Sequence, residues 1–95
     1  MGQTMFRVTV RCEGILPADW PSAVADIAEE FVSRPWQKVI ETRWDGDALV
    51  LVAESGYDHD GEALAAEFSD SVAACAPGTP GYRVRILSIS IMGTA

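Results

Sequence analysis

The sequence predicts an α+β fold in which a four-stranded antiparallel sheet carries two helices on one face. Three observations predict it. Apolar and polar residues alternate near the start of the chain, two stretches have helical spacing, and Asp45-Gly46 separates two apolar runs. An Asp-Gly pair in that position is the strongest short signal for a β-hairpin, because both residues tolerate the positive φ of a type I′ turn. The predicted elements therefore follow the order β-α-β-β-α-β.

The first strand is predicted over residues 5–13, where the alternation is that of a half-buried strand. Residues 14–17 end it. The first helix is capped by Asp19 or Trp20 and stops before Pro35, since the residue preceding a proline is disfavoured in a helix. Apolar residues at helical spacing predict its buried stripe: Val24, Ile27, Ala28, Phe31 and Val32.

The hairpin is predicted over residues 36–54, and a two-residue loop at Asp45-Gly46 fixes its register. Period-two alternation then assigns one set of side chains to the core face: Trp36, Ile40, Trp44, Leu49 and Leu51. Two polar residues, Lys38 and Thr42, share that face and are expected near an edge of the sheet.

The second helix is predicted to start at Asp58 or Asp60, because acidic side chains suit the first turn. Its apolar stripe consists of Leu64, Phe68, Val72 and Cys75. Residues 76–81 form a break rich in Gly and Pro. The final strand, residues 82–92, has Tyr82, Val84 and Ile86 on one face and, on the other, Arg83, Arg85, Leu87, Ile89 and Ile91.

With right-handed crossovers, this order of elements gives the ferredoxin-like plait, with strand order 4-1-3-2 and one bare sheet face. The 95 residues are expected to form a single domain with loose ends at residues 1–4 and 93–95. This fold hosts enzymes, regulators, metal carriers and RNA binders, so the fold alone does not fix the function.

The bare face of the predicted sheet is both basic and apolar. Four arginines converge there from the first and last strands: Arg7, Arg11, Arg83 and Arg85. The same face carries an apolar area larger than a monomer usually exposes: Val39, Val50, Val52, Leu87, Ile89 and Ile91. We therefore expect a second copy of the chain, or another protein, to cover this face. A bulge in the last strand would instead turn Leu87, Ile89 and Ile91 into the core.

A site for a small anionic ligand is the alternative use of the four arginines, since guanidinium groups suit carboxylate and phosphate. An enzyme could use the same arginines as an anion clamp. No catalytic, metal or cofactor motif stands out in the sequence, so we predict a non-enzymatic protein without a cofactor. His59, between Asp58 and Asp60, is interpreted as part of a helix start and not as a metal ligand.

Composition and charge narrow the class of protein. The net charge of −7 argues against binding to nucleic acid or to an anionic membrane. No apolar run approaches the ~20 residues of a membrane helix, and the N-terminus lacks the pattern of a signal peptide, so we expect a cytoplasmic protein. Cys12 and Cys75 are expected to be reduced, buried and at opposite ends of the fold.

Several features fall where ACT-type regulatory modules place them. These features are the strand at residues 6–12, Gly14 in the following loop, the helix at residues 22–32 and the hairpin at residues 36–54. The chain resembles those modules over these segments, although residues 16–19 replace their usual Asp-Arg-Pro-Gly-like loop. The resemblance implies a dimeric domain that senses a small ligand, such as an anionic metabolite.

Overall fold

The computed structural model describes residues 4–15, 20–75 and 81–94. The elements are β1 (Thr4–Glu13), α1 (Trp20–Glu30) with a 3-10 turn after it (Phe31–Ser33), β2 (Lys38–Trp44), β3 (Ala48–Ser55), α2 (Glu62–Cys75) and β4 (Arg83–Thr94). The predicted α+β class and the order β-α-β-β-α-β are confirmed. The predicted cap at Asp19, the loop at residues 16–19 and the break at residues 76–80 lie outside the described residues.

The four strands form one antiparallel sheet in the order β2-β3-β1-β4. Counted from the β4 edge, the same neighbours read 4-1-3-2. Strands β1 and β3 are central, and β2 and β4 are the two edges. Within residues 4–15, 20–75 and 81–94, the edge strands therefore each have one side without a strand partner.

One hydrophobic cluster joins both helices to one face of the sheet. The strands contribute three directly opposed pairs: Val8 with Ala53, Val10 with Leu51 and Cys12 with Leu49. The helices contribute Ala23, Ile27 and Phe31 from α1 and its 3-10 turn, and Leu64, Phe68 and Val72 from α2. All twelve side chains are at most 3% exposed, so this helix side of the sheet is the core and the other side is the bare face.

The predicted apolar stripe of α1 is partly wrong. Ile27 and Phe31 are buried as expected, but Ala28 is exposed and Val32 is 79% exposed. The buried face of the helix runs through Ala23, Ile27 and Phe31, at spacings of four residues. Ala28 and Val32 each follow one of these residues and lie about 100° further around the helix than the residue that they follow.

The hairpin turn lies one residue later than predicted. The Asp45 N–H donates to the Ala48 carbonyl at 3.0 Å, so the two loop residues are Gly46 and Asp47. Gly46 has a φ of 106° and Asp47 has a negative φ, which is the pattern of a type II′ turn with glycine in its first central position. The strand pairing shifts by two residues as a result. Because this number is even, side chains near the turn keep their predicted faces.

Because of a β-bulge at Ile40, the side chains at the start of β2 face the side of the sheet opposite to the predicted one. The register against β3 slips by one residue between Val39 and Glu41. Val39, predicted on the bare face, therefore lies opposite Ala53 on the helix side and packs against the core. Ile40, predicted in the core, is 47% exposed. Lys38 lies on the bare face, so of the two polar residues predicted on the helix side, Thr42 is the one that stays there.

A second bulge, at Leu87, reverses the predicted facing of the end of β4. Ile86 and Ser88 pair with adjacent residues of β1, which leaves Leu87 as the extra residue between them. Beyond the bulge, Ile89 and Ile91 lie opposite β1 residues of the helix side. Their predicted position on the bare face is therefore wrong. The alternative correctly included a bulge, but Leu87, Ile89 and Ile91 stay exposed and do not enter the core.

Candidate binding surfaces

The arginines of β1 are engaged in ion pairs on the bare face. Arg7 donates from Nε and Nη2 to Glu54 Oε2, at 3.1 and 2.8 Å. Arg7 and Glu54 are direct cross-strand neighbours, and such opposite charges stabilise a sheet. Arg11 donates from Nη1 to Asp45 Oδ2 at 2.6 Å, which links β1 to the hairpin turn. Both arginines were predicted to face outward and do so, but with carboxylate partners from the same chain.

Two arginines of the edge strands, Arg43 and Arg85, also form ion pairs. Arg85 donates to Glu13 Oε1 at 3.0 Å, and Arg43 forms an ion pair with Glu41. Arg83 lies opposite Glu13 in the β1–β4 register and is exposed. An anion that bound the predicted arginine cluster would therefore compete with carboxylates already in place.

The valines of the bare face lie beneath these charged side chains. Val50 is 1% exposed and Val52 is half-buried. Val50 is flanked by Arg11 on one strand and Arg43 on the other, and the aliphatic stems of arginines cover apolar neighbours in this way. The large apolar area predicted for the bare face is therefore not exposed there.

Asp45 connects the turn to this network, and its protonation should be visible in the stability of the protein. Its carboxylate accepts the N–H groups of Asp47 and Ala48 at 3.0 and 2.9 Å. These backbone hydrogen bonds, that from Asp47 first, hold the pKa of Asp45 below its usual value of 3.8, and Arg11 adds to the effect. A pKa lowered by folding means that the carboxylate stabilises the fold above its unfolded pKa. That stability is lost as the pH falls through the folded pKa.

We expect Asp45→Asn to lower the urea midpoint slightly at neutral pH, because the ion pair with Arg11 is lost while an acceptor oxygen stays. Between about pH 4 and pH 2 the variant should lose less stability than the wild type. Urea titrations across this range measure the difference. Asp47→Asn, in the same turn, is the control. A wild type and an Asp45→Asn variant with the same acid dependence would contradict the assignment.

The surface of β4 carries most of the exposed apolar side chains of the described residues. Five of the nine large hydrophobic residues that are exposed belong to this strand: Ile86 (39%), Leu87 (47%), Ile89 (38%), Ile91 (71%) and Met92 (44%). We call these five residues the β4 surface. Since β4 is an edge strand, the surface is continuous with a row of main-chain groups that have no strand partner in the described part of the chain.

The two edges of the sheet differ in charge. Strand β2 has three charged side chains among its seven residues, Lys38, Glu41 and Arg43. Charges of this kind protect an edge strand from pairing with another chain. From Ile86 to Met92, β4 has neither a charged residue nor a proline. The bulge at Leu87 and a second irregularity after Ile91 interrupt the pairing of β4 with β1.

A polar cluster joins the loop before β2 to α2. Gln37 is 4% exposed and donates its Nε2 to Glu67 at 2.9 Å and to the Tyr57 hydroxyl at 3.1 Å. Trp36 donates Nε1 to Glu67 at 2.6 Å and is 51% exposed, so its predicted core position is wrong. Burial raises the pKa of Tyr57, and the charge of Glu67 adds to this. No sequence pattern indicates this cluster, because its members are single polar residues far apart in the chain.

The acidic residues before α2 act as caps, as predicted. Asp58 is 2% exposed and accepts the N–H groups of Ala63 and Leu64 at 3.1 and 3.0 Å. Asp60 accepts the N–H of Glu62 at 3.0 Å. Within the described residues, no group of three or more His, Cys, Asp or Glu side chains is placed to hold a metal ion.

Cys12 is a free, buried thiol. Burial raises its pKa to about 11, with a contribution from the neighbouring charge of Glu13. The thiol is therefore neutral and unreactive at neutral pH. The side chain of Cys75 lies outside the described residues, and so does the predicted separation of the two cysteines.

No family model and no curated protein matches the chain. Among solved structures, the chain is similar to the crystal structure of ttk003000868 from Thermus thermophilus, with a TM-score of 0.42 and 14% sequence identity. The similarity covers 95% of this chain and 12% of that one. None of the helices in the described residues is long and apolar enough to cross a membrane.

Proposed function

We propose that the chain is a small non-enzymatic protein-binding module that forms a homodimer through the β4 surface. The observation that carries the proposal is the exposure of five large apolar side chains along an edge strand. Contiguous apolar patches of this kind mark interfaces in soluble proteins. A homodimer is the commonest assembly that covers such a patch.

The sequence predicted an interface on the bare face, whereas we propose that the interface lies on β4. On the bare face, Val50 is covered and three of the four arginines, Arg7, Arg11 and Arg85, are paired, so there is little apolar area for a partner to bury. The small-anion sensor and the arginine-clamp enzyme both need arginines that are free to bind a ligand. Arg7, Arg11 and Arg85 hold carboxylates of the same chain, which favours the binding module over both alternatives.

We also propose that the chain is a single domain with the ferredoxin-like plait and that it lies in the cytoplasm. The element order, the neighbours in the sheet and the placement of both helices on one side support the plait. The buried free thiol of Cys12 fits a reducing compartment, where disulfides are rare.

Sedimentation equilibrium at low and high salt tests the homodimer. We expect a dimer that persists at high salt, because apolar contacts are not screened. Ile91→Glu changes the most exposed residue of the β4 surface and should weaken the dimer at least about 100-fold, since burying a charge opposes association.

The matched control is Ile40→Glu on the opposite edge strand, where the isoleucine is also exposed, at 47%. This variant should leave the dimer intact. A wild type that stays monomeric at all loading concentrations would contradict the proposal. So would a dimer that Ile40→Glu and Ile91→Glu weaken equally.

A further inference from the structure

We infer that two copies of the chain pair edge to edge through antiparallel β4 strands, with the two-fold axis at Ile89, so that the two sheets form one sheet of eight strands. This inference rests on the proposed homodimer and specifies its geometry. Its occupant is a second copy of this chain. Three features of β4 carry it, namely its facing pattern, the positions of its isoleucines and its charges.

The bulge at Leu87 gives β4 two sets of side chains with opposite facing. The register against β1 places Val84, Ile86, Ile89 and Ile91 on the helix side. It places Arg83, Arg85, Ser88 and Ser90 on the bare side. In an antiparallel pair, residues directly opposite each other share a face, so a valid pairing of β4 with its copy must match these two sets.

A two-fold axis at Ile89 satisfies this condition. Ile89 then lies opposite its own copy, and Ser88 lies opposite Ser90 of the second chain. Leu87 is the extra residue on each strand, so the next pair joins Ile86 to Ile91. Isoleucine therefore meets isoleucine along the helix side, and serine meets serine on the bare side. Cross-strand pairs of β-branched residues are a stabilising element of sheets.

The positions of the isoleucines distinguish this axis from its neighbours. With the axis at Ile89, each of the three isoleucines of the helix side lies opposite an isoleucine. An axis at Ser88 or at Ser90 also matches the two faces, but it leaves one isoleucine of each chain opposite a residue of another type.

The charges of β4 favour the antiparallel direction. The strand has two arginines near its start, Arg83 and Arg85, and no acidic residue. Antiparallel pairing puts the arginines of the two copies at opposite ends of the joined strands. A parallel pairing in register would place like charges side by side, which destabilises a sheet.

Mixing variants of opposite charge tests the axis. Ile86→Lys and Ile91→Glu should each be monomeric alone, because each brings a charge into the apolar row. Mixed in equal amounts, they should form a heterodimer with one Lys–Glu pair and one native Ile–Ile pair. We expect association at least about 10-fold tighter than in the control mixtures, measured by sedimentation equilibrium.

The control mixtures represent the two neighbouring axes. Ile86→Lys with Ile89→Glu forms a charge pair only if the axis lies at Ser88, and Ile89→Lys with Ile91→Glu only if it lies at Ser90. Tighter association in either control mixture would overturn the axis at Ile89. If the wild type is a dimer but no mixture of variants restores association, the edge-to-edge pairing is wrong while the homodimer itself is retained. A monomeric wild type would refute both. Circular dichroism of each variant shows that it is folded.

Cross-linking gives a second measurement that does not depend on inserted charge. Ile89→Cys in a Cys75→Ser background should be joined into a covalent dimer by a short bismaleimide, because the axis brings the two thiols together. Cys12 should not react with the bismaleimide, since it is fully buried and its pKa is about 11. Ile40→Cys, on the other edge, is the control and should remain monomeric. Equal cross-linking of both variants would contradict the pairing.

Discussion

Asp58→Ala is expected to lower the free energy of unfolding by about 2–3 kcal/mol. The Asp58 carboxylate satisfies two N–H groups at the start of α2, those of Ala63 and Leu64, and the aspartate itself is 2% exposed. Alanine leaves both donors without their acceptor, and the Leu64 N–H is buried. The loss therefore exceeds that of an ordinary surface cap, for which water replaces the side chain.

Urea denaturation of the wild type and of three variants measures this effect. Asp58→Asn keeps one acceptor oxygen and should recover about half of the loss. Asp60→Ala is the matched control, since Asp60 caps the same helix from an exposed position with one hydrogen bond, to Glu62. It should cost about 0.5–1 kcal/mol. Equal costs for Asp58→Ala and Asp60→Ala would show that burial adds nothing to the cap.

Gly61→Ala is expected to destabilise the protein by about 2–4 kcal/mol. Gly61 has a φ of 79°, which is costly for any residue with a Cβ. A Cβ at this position would also lie 3.0 Å from Val8 Cγ1 and 3.1 Å from Ile86 Cγ2. Both neighbours are branched side chains held in the sheet, so the backbone before α2 would have to move away from the core.

Gly46→Ala separates the two contributions. Gly46 also has a positive φ, but a Cβ there would have no described atom within 4 Å. The substitution should therefore cost only the backbone strain, about 1–2 kcal/mol. The difference between the two variants in urea denaturation is the cost of crowding. Equal losses would mean that Val8 and Ile86 give way freely.

The order of elements and most of the core could be predicted because their signals are local. Alternation defined β1, the Asp-Gly pair located the hairpin to within one residue, and acidic caps marked the start of α2. Each of these patterns reflects a physical rule that acts over a few residues. Two residues of β3 and three of α2 were therefore assigned to the core correctly: Leu49, Leu51, Leu64, Phe68 and Val72.

The positions of the bulges at Ile40 and Leu87 could not be predicted, and these two bulges account for most errors in the candidate surface. Ile40 and Leu87 are ordinary strand residues, and nothing in their local sequence distinguishes them from their neighbours. Which residue is left over depends on how the whole strand fits its partner. One such residue moved Val39 into the core, and the other moved Ile89 and Ile91 away from the bare face.

The ion pairs of the bare face could have been predicted from the sequence. Glu54 alternates onto the same face as Arg7, and the predicted strand order makes β1 and β3 neighbours. The register between these strands was the missing information. Counting the acidic residues of the bare face together with the arginines would have indicated a self-neutralised surface.

The bulge at Leu87 also has an evolutionary consequence. Losing the Leu87 codon would remove the extra residue and leave Ile86 and Ser88 opposite their present partners, Val10 and Thr9, in a regular strand. Ile89 and Ile91 would therefore stay on the helix side. Homologous chains that lack one residue at this place would keep the same row of isoleucines without the bulge.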